Sequence, residues 1–197
     1  MKIVLFGPGG MIGSRIAAEL EQRSHDVTGA SRATGTDITS AAAVAASAAG
    51  ADAVVSAISA RGVDYTLADV ARSLTDGARQ AGVRRAVVVG GAGSLEVAPG
   101  TRLVDTPDFP GEWKPEALQH ADALEVFRSI DDLDWTFVSP AAFIHPGERT
   151  GQYRLGGDQL LVDEKGNSEI SAEDYAIAIA DLLEDGGHER ERITVAW

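Results

Sequence analysis

Three glycines near the start of the chain carry its clearest chemistry. Residues 3 to 13 read Ile-Val-Leu-Phe-Gly-Pro-Gly-Gly-Met-Ile-Gly, which spaces Gly7, Gly10 and Gly13 as G-x-x-G-x-x-G. Four apolar residues precede the first glycine, and Ser14 to Arg23 continue at helical spacing. An apolar strand, a glycine turn and the opening of a helix together predict a dinucleotide phosphate site. Gly7 permits the tight turn, Gly10 lets the backbone approach a pyrophosphate, and Gly13 lets the helix pack against the strand. Gly9, Met11 and Ile12 complete the turn, and the first N–H groups of the helix offer donors and partial positive charge to the phosphates.

The far end of such a ligand is read after the second strand. Dinucleotide sites that hold an unphosphorylated ribose commonly place a carboxylate there. Here the segment is Thr28-Gly29-Ala30-Ser31-Arg32, with no carboxylate. Arg32 can pair with a 2′-phosphate and Ser31 can donate to it, so NADP(H) is favoured over NAD(H). Asp37 lies where it can either bond an adenine amino group or cap the helix that begins near Ser40.

Further candidates follow from the ends of later strands. Ser56 and Ala57 end the third, where small residues suit contact with a cofactor ribose and pyrophosphate. Gly90 and Gly91 follow the fourth, and backbone there can pass close to a flat ring. Ser94 can bond a nicotinamide or a substrate carbonyl, or simply close its own turn. His120 titrates near neutrality and is a candidate proton donor on the next helix. Pro140, Ala142 and Phe143 follow the fifth strand, where backbone can bond a carboxamide and Phe143 can stack on a ring or pack in the core. The catalytic candidates are therefore Ser94 and His120. No metal site is predicted, since the chain has no cysteine and its 4 histidines are scattered.

These residues need a frame. Strands are predicted over 2–6, 26–30, 53–57, 85–89, 135–139 and 192–196. Helices are predicted over 13–23, 39–49, 64–81 and 115–130, with another starting at Ser171. Gly82 ends the third helix. Gly156-Gly157-Asp158 reads as a hairpin turn between 153–155 and 159–162. Strands alternating with helices imply right-handed crossovers and an α/β, Rossmann-type, doubly wound parallel sheet with helices on both faces. The expected strand order is 3-2-1-4-5-6, with the ligand crevice at the carboxyl ends of the strands. One domain over 1–197 is expected, with substrate-covering loops near 94–114 and 143–167.

Bulk properties narrow the partners. A formal net charge of -13 repels nucleic acid phosphates, and no basic patch offsets it. No apolar run is long enough to span a bilayer, so no membrane partner is expected. A cysteine-free chain that enters a strand directly after Met1-Lys2 fits a cytoplasmic setting.

The glycine turn, Arg32, the run Val87-Val88-Val89-Gly90-Gly91-Ala92-Gly93-Ser94-Leu95 and Trp135-Thr136-Phe137-Val138-Ser139-Pro140 together resemble the atypical short-chain dehydrogenase/reductases. The segments 143–151 and 171–175 are also similar to that group. The nearest resemblance is to its NAD(P)H-binding members of NADH-flavin reductase, biliverdin reductase B-like and NmrA-like type, and it extends over essentially the whole chain. It implies hydride transfer from NADPH to a flavin (FMN or FAD as substrate), a quinone or another flat small-molecule acceptor. NmrA-like members imply instead a non-catalytic redox sensor, and a nucleotide-sugar epimerase or dehydratase is a third reading. One departure is plain. The Tyr-x-x-x-Lys pair of the wider superfamily is missing, and Gln119-His120 stand at about its position. Alcohol–ketone chemistry needs that proton donor, whereas flavin reduction mainly needs two rings stacked and oriented.

Overall fold

The computed structural model describes residues 1–197. In chain order the elements are β1 (Lys2–Phe6), α1 (Met11–Gln22), β2 (Asp26–Ala30), α2 (Ala41–Ala48), β3 (Ala53–Ser56), α3 (Leu67–Ala81), β4 (Arg85–Val89), β5 (Glu96–Ala98), β6 (Thr101–Arg102), α4 (Lys114–Arg128), β7 (Asp134–Pro140), β8 (Phe143–His145), β9 (Arg154–Gly156), β10 (Glu169–Ser171), α5 (Ala172–Glu184) and β11 (Glu191–Ala196). Strand alternation sends Ile3 and Leu5 to one face of the sheet and Val4 and Phe6 to the other. The first pair joins a core with Ile16 and Leu20 of α1 and Tyr175 and Ile179 of α5. The second joins a core with Val44 of α2, Leu74 of α3 and Phe127 of α4. Helices therefore cover both faces of a largely parallel, Rossmann-like sheet.

The helices start and stop where side chains satisfy their free backbone groups. Ser40, Thr66 and Ser171 accept from the third residue beyond them at the heads of α2, α3 and α5. Gly82 ends α3 in the left-handed conformation at φ 74.

The main sheet runs β2-β1-β3-β4-β7-β11-β9. This corrects the expected order, because the third strand lies beside the first rather than beyond the second. The burial of the two strands explains it. Every residue of β3 is buried, whereas β2 alternates with solvent. A continuous apolar strand needs a neighbour on each side and covered faces, so β3 sits between β1 and β4 and leaves β2 at the edge. The crossover that reverses direction thus falls between β1 and β3, and a crevice opens there at the strands' carboxyl ends.

The hairpin expected around Gly156 does not form. β9 instead pairs antiparallel with β11, and residue 159 bridges to Glu96. Two side chains of β11 draw this segment across: Thr194 donates to the Gly157 carbonyl, and the Arg192 guanidinium pairs with Asp158. Two short pairs escaped the sequence reading, β5 with β6 and β8 with β10.

Candidate functional site

At the head of α1 the backbone is shaped around the glycines. Gly7 turns at φ 85, and its amide donates to the Ala30 carbonyl at 3.0 Å. A Cβ on Gly13 would lie 2.0 Å from the Gly7 carbonyl oxygen, so only glycine lets helix and turn meet. Gly9 and Gly10 face open space, with nothing nearer than 3.8 Å to a Cβ at either. The amides of Met11, Ile12 and Gly13 donate to no acceptor in the chain, although Gly13 is buried. No side chain caps α1 at Gly10, and no acidic residue stands in its first turn. Acidic residues do stand in the first turns of α3 and α5. Orphan donors, a bare positive helix end and open space before the glycines fit a dinucleotide pyrophosphate.

Arg32 lies at the carboxyl end of β2, in a single 3₁₀ turn, exposed and without an ion-pair partner. The Ser31 amide donates to Thr34 Oγ1 at 2.8 Å, which fixes that turn. Asp37 accepts from both the amide and the hydroxyl of Thr39, which holds its carboxyl below the usual range, and the cap of α2 falls to Ser40.

Beyond the glycine turn the crevice widens into a cleft of about 550 Å³. Its floor and sides come from Met11, Ala57, Gly90, Gly91, Pro140 and Ala142, at or just beyond the ends of α1, β3, β4 and β7. Ile58, Leu103, Phe109, Trp113 and Phe143 make the rest largely apolar. Trp113 and Phe143 stand at the rim, 41% and 49% exposed. Leu103, Phe109 and Trp113 of the stretch 94–114 thus form part of the cleft wall.

His120 reaches the cleft from α4, close beneath Gly91, where a Cβ would meet its ring at 2.9 Å. Burial pushes its pKa down to about 4, against the pull of Glu116 one turn earlier. The imidazole is therefore neutral at pH 7, and neither ring nitrogen bonds to the protein. Glu116 accepts from Ser59 Oγ at 2.6 Å and from Arg61 Nε. Burial opposes its ionisation, but these two donors outweigh it and keep the carboxylate charged. Ser59, Arg61 and Glu116 were not singled out from the sequence. Loop residues before a helix carry no periodic signal, and only the fold brings them opposite α4.

Other candidates lie elsewhere. Ser94 faces a separate polar cavity of about 190 Å³, where its hydroxyl accepts from Arg192 at 3.4 Å. Ser56 is buried and borders a small apolar void against α3 and α4, while Ala57 alone of that pair lines the cleft. The Ala142 and Phe143 amides donate to Ser168, to its hydroxyl and its carbonyl, both at 3.0 Å. The segment after Ile144 leaves the cleft. His145 bonds Pro146 and Glu169, Gly147 donates to Glu173, Arg149 grips buried Glu19 of α1 with two bonds, and Thr150 and Gly151 donate to buried Asp174. Of the stretch 143–167 expected to cover substrate, Phe143 and Ile144 line the cleft, whereas 145–151 form this strap against α1 and α5.

Three solved structures are similar over the full length of this chain, and each carries a provisional name. A Burkholderia pseudomallei protein named as exported is 50% identical, with TM-score 0.91 and 100% of both chains covered. A Bacteroides thetaiotaomicron protein named as an epimerase is 38% identical, with TM-score 0.91 and 100% of this chain and 96% of that one covered. A Streptococcus pneumoniae protein named as an NADH-flavin reductase is 37% identical, with TM-score 0.84 and coverage of 100% and 99%. No helix here is long and apolar enough to cross a membrane. The family model described as NAD(P)H-binding matches residues 7–186, from the first glycine of the turn almost to the end of the sheet. Its span and the open head of α1 agree, and the chain belongs to the NAD(P)H-binding family.

Proposed function

We propose that the protein is an NADPH-dependent reductase of flat aromatic acceptors such as flavins and quinones. The observation that carries this reading is the largely apolar cleft that adjoins the bare N-terminus of α1. Met11, Ile12 and Gly13 amides hold the pyrophosphate, and Arg32 takes the 2′-phosphate that distinguishes NADPH from NADH. Backbone at Gly90 and Gly91 floors the cleft, and Trp113 and Phe143 enclose an acceptor ring from the rim. When bound, NADPH supplies the hydride. The chain orients the acceptor, excludes water with apolar walls, and offers the neutral His120 N–H to a heteroatom of the acceptor.

Calorimetric titration with NADPH, NADP, NADH and NAD, followed by turnover assays with flavins and quinones, tests the reading. Tighter binding of the phosphorylated pair and steady NADPH consumption are expected. Arg32→Ala weakens NADPH by about 1–3 kcal/mol and leaves NADH nearly unchanged, because only the 2′-phosphate loses a charged partner. Equal losses for both would sink the Arg32 role. A sensor without turnover is the second reading. It draws on the lack of a tyrosine in the cleft: Tyr175 is buried and its hydroxyl donates to the Val138 carbonyl at 2.6 Å. Binding of all four nucleotides without turnover would favour it, and binding of a nucleotide-sugar would favour an epimerase.

A further inference from the structure

We propose that Arg61 anchors an anionic group, phosphate or carboxylate, on the acceptor, and that Glu116 holds it in reserve until that group arrives. The inference rests on reading the cleft as an acceptor site. Arg61 is the one arginine or lysine that lines the cleft, in a chain whose formal charge is -13. Its side chain is 72% exposed, and only Nε is engaged, by Glu116. The two terminal nitrogens have no partner, so the paired face suited to a phosphate or carboxylate is free.

The partner is arranged to let go. Glu116 is mostly buried, and a carboxylate stripped of its only donor there would be costly. Ser59 supplies a second donor on the other oxygen at 2.6 Å, so Arg61 can swing away without orphaning Glu116. Gly62, with φ 67, follows Arg61 directly and adds no side chain to obstruct the swing. The remaining cleft is apolar apart from His120 and backbone, so an anionic acceptor has no competing cation there. A purely structural clasp between the loop and α4 predicts that loss of either partner harms the cleft alike. An anchor held in reserve predicts opposite effects.

FMN and riboflavin differ by one phosphate and give the test. Calorimetric binding of each is measured with and without NADP, on wild type, Arg61→Gln and Glu116→Gln. Wild type is expected to favour FMN by about tenfold, Arg61→Gln to erase the preference, and Glu116→Gln to widen it. Arg61→Lys should keep part of it. Failure to bind FMN, equal affinity of wild type for both flavins, or effects of the same sign in both variants would overturn the proposal. So would weaker NADPH binding in Arg61→Gln with the flavin preference intact, which would give Arg61 to the dinucleotide instead. Because binding is read without turnover, FMN that binds as described but is never reduced would refute the reductase reading and leave the anchor standing.

Discussion

Gly13 and His120 show how much of the site rests on single residues. Gly13 has 2.0 Å between a would-be Cβ and the Gly7 carbonyl oxygen. Gly13→Ala must therefore displace α1 or the turn. The expected cost is about 1–3 kcal/mol in urea unfolding, with weakened binding of all four nucleotides. Gly9→Ala meets nothing within 4 Å and should leave stability almost unchanged. His120 should titrate near pH 4 by the ring-proton shifts in NMR, against an ordinary value of 6.5. The unfolded chain then binds a proton between those values that the folded one refuses, so stability falls as pH drops from 6.5 toward 4. His120→Gln should remove that part of the acid sensitivity. A midpoint at 6 or above would show that the ring is not desolvated as described. At this scale the sequence was informative where geometry is local. The glycine spacing located the turn between β1 and α1 because Gly7 and Gly13 answer to backbone demands within a few residues. Ser94 ends a 3₁₀ turn that carries it to the polar cavity beside Arg192 instead of the cleft, and no sequence pattern encodes the direction of such a turn.

Elements were legible where burial is periodic. The spans of β1, β2 and β4 match the predicted strands residue for residue, α3 differs only at its start, and α5 begins one residue after the predicted Ser171. The short pairs β5–β6 and β8–β10 were not, since three residues are too few to show alternation. The strap after β8 depends on contacts across long stretches of chain and was equally hidden. Asp174 is its main anchor. Burial disfavours its charge, but donors from Thr150, Trp197 and the Gly151 amide outweigh that and hold its pKa below 3.8. Its contribution is thus present above that value and lost as pH falls through the lowered one. Asp174→Asn turns one acceptor into a donor facing donors. A loss of about 1–3 kcal/mol is expected, with faster proteolysis at Arg154. An unchanged cleavage rate would mean that the strap is held elsewhere.

Across the whole molecule, one sheet serves both cores. Alternate residues of β1, β3, β4 and β7 point into each, so neither core persists if the sheet opens. Far-UV circular dichroism and calorimetry should therefore report a single transition at one midpoint. Two resolved transitions would show independent units. The strand order was the global feature least accessible beforehand, because the apolar run of β3 calls for a neighbour on each side but does not say which strands those are. The three tryptophans happen to be divided among the regions this fold creates. Trp135 is buried in the α3–α4 core, Trp113 stands at the cleft rim, and Trp197 caps the strap with its indole N–H on Asp174. Emission from this protein is consequently a sum of three independent reporters. Pairwise replacement by phenylalanine would isolate each colour shift, so that folding, ligand entry and strap release can be followed separately in unlabelled protein.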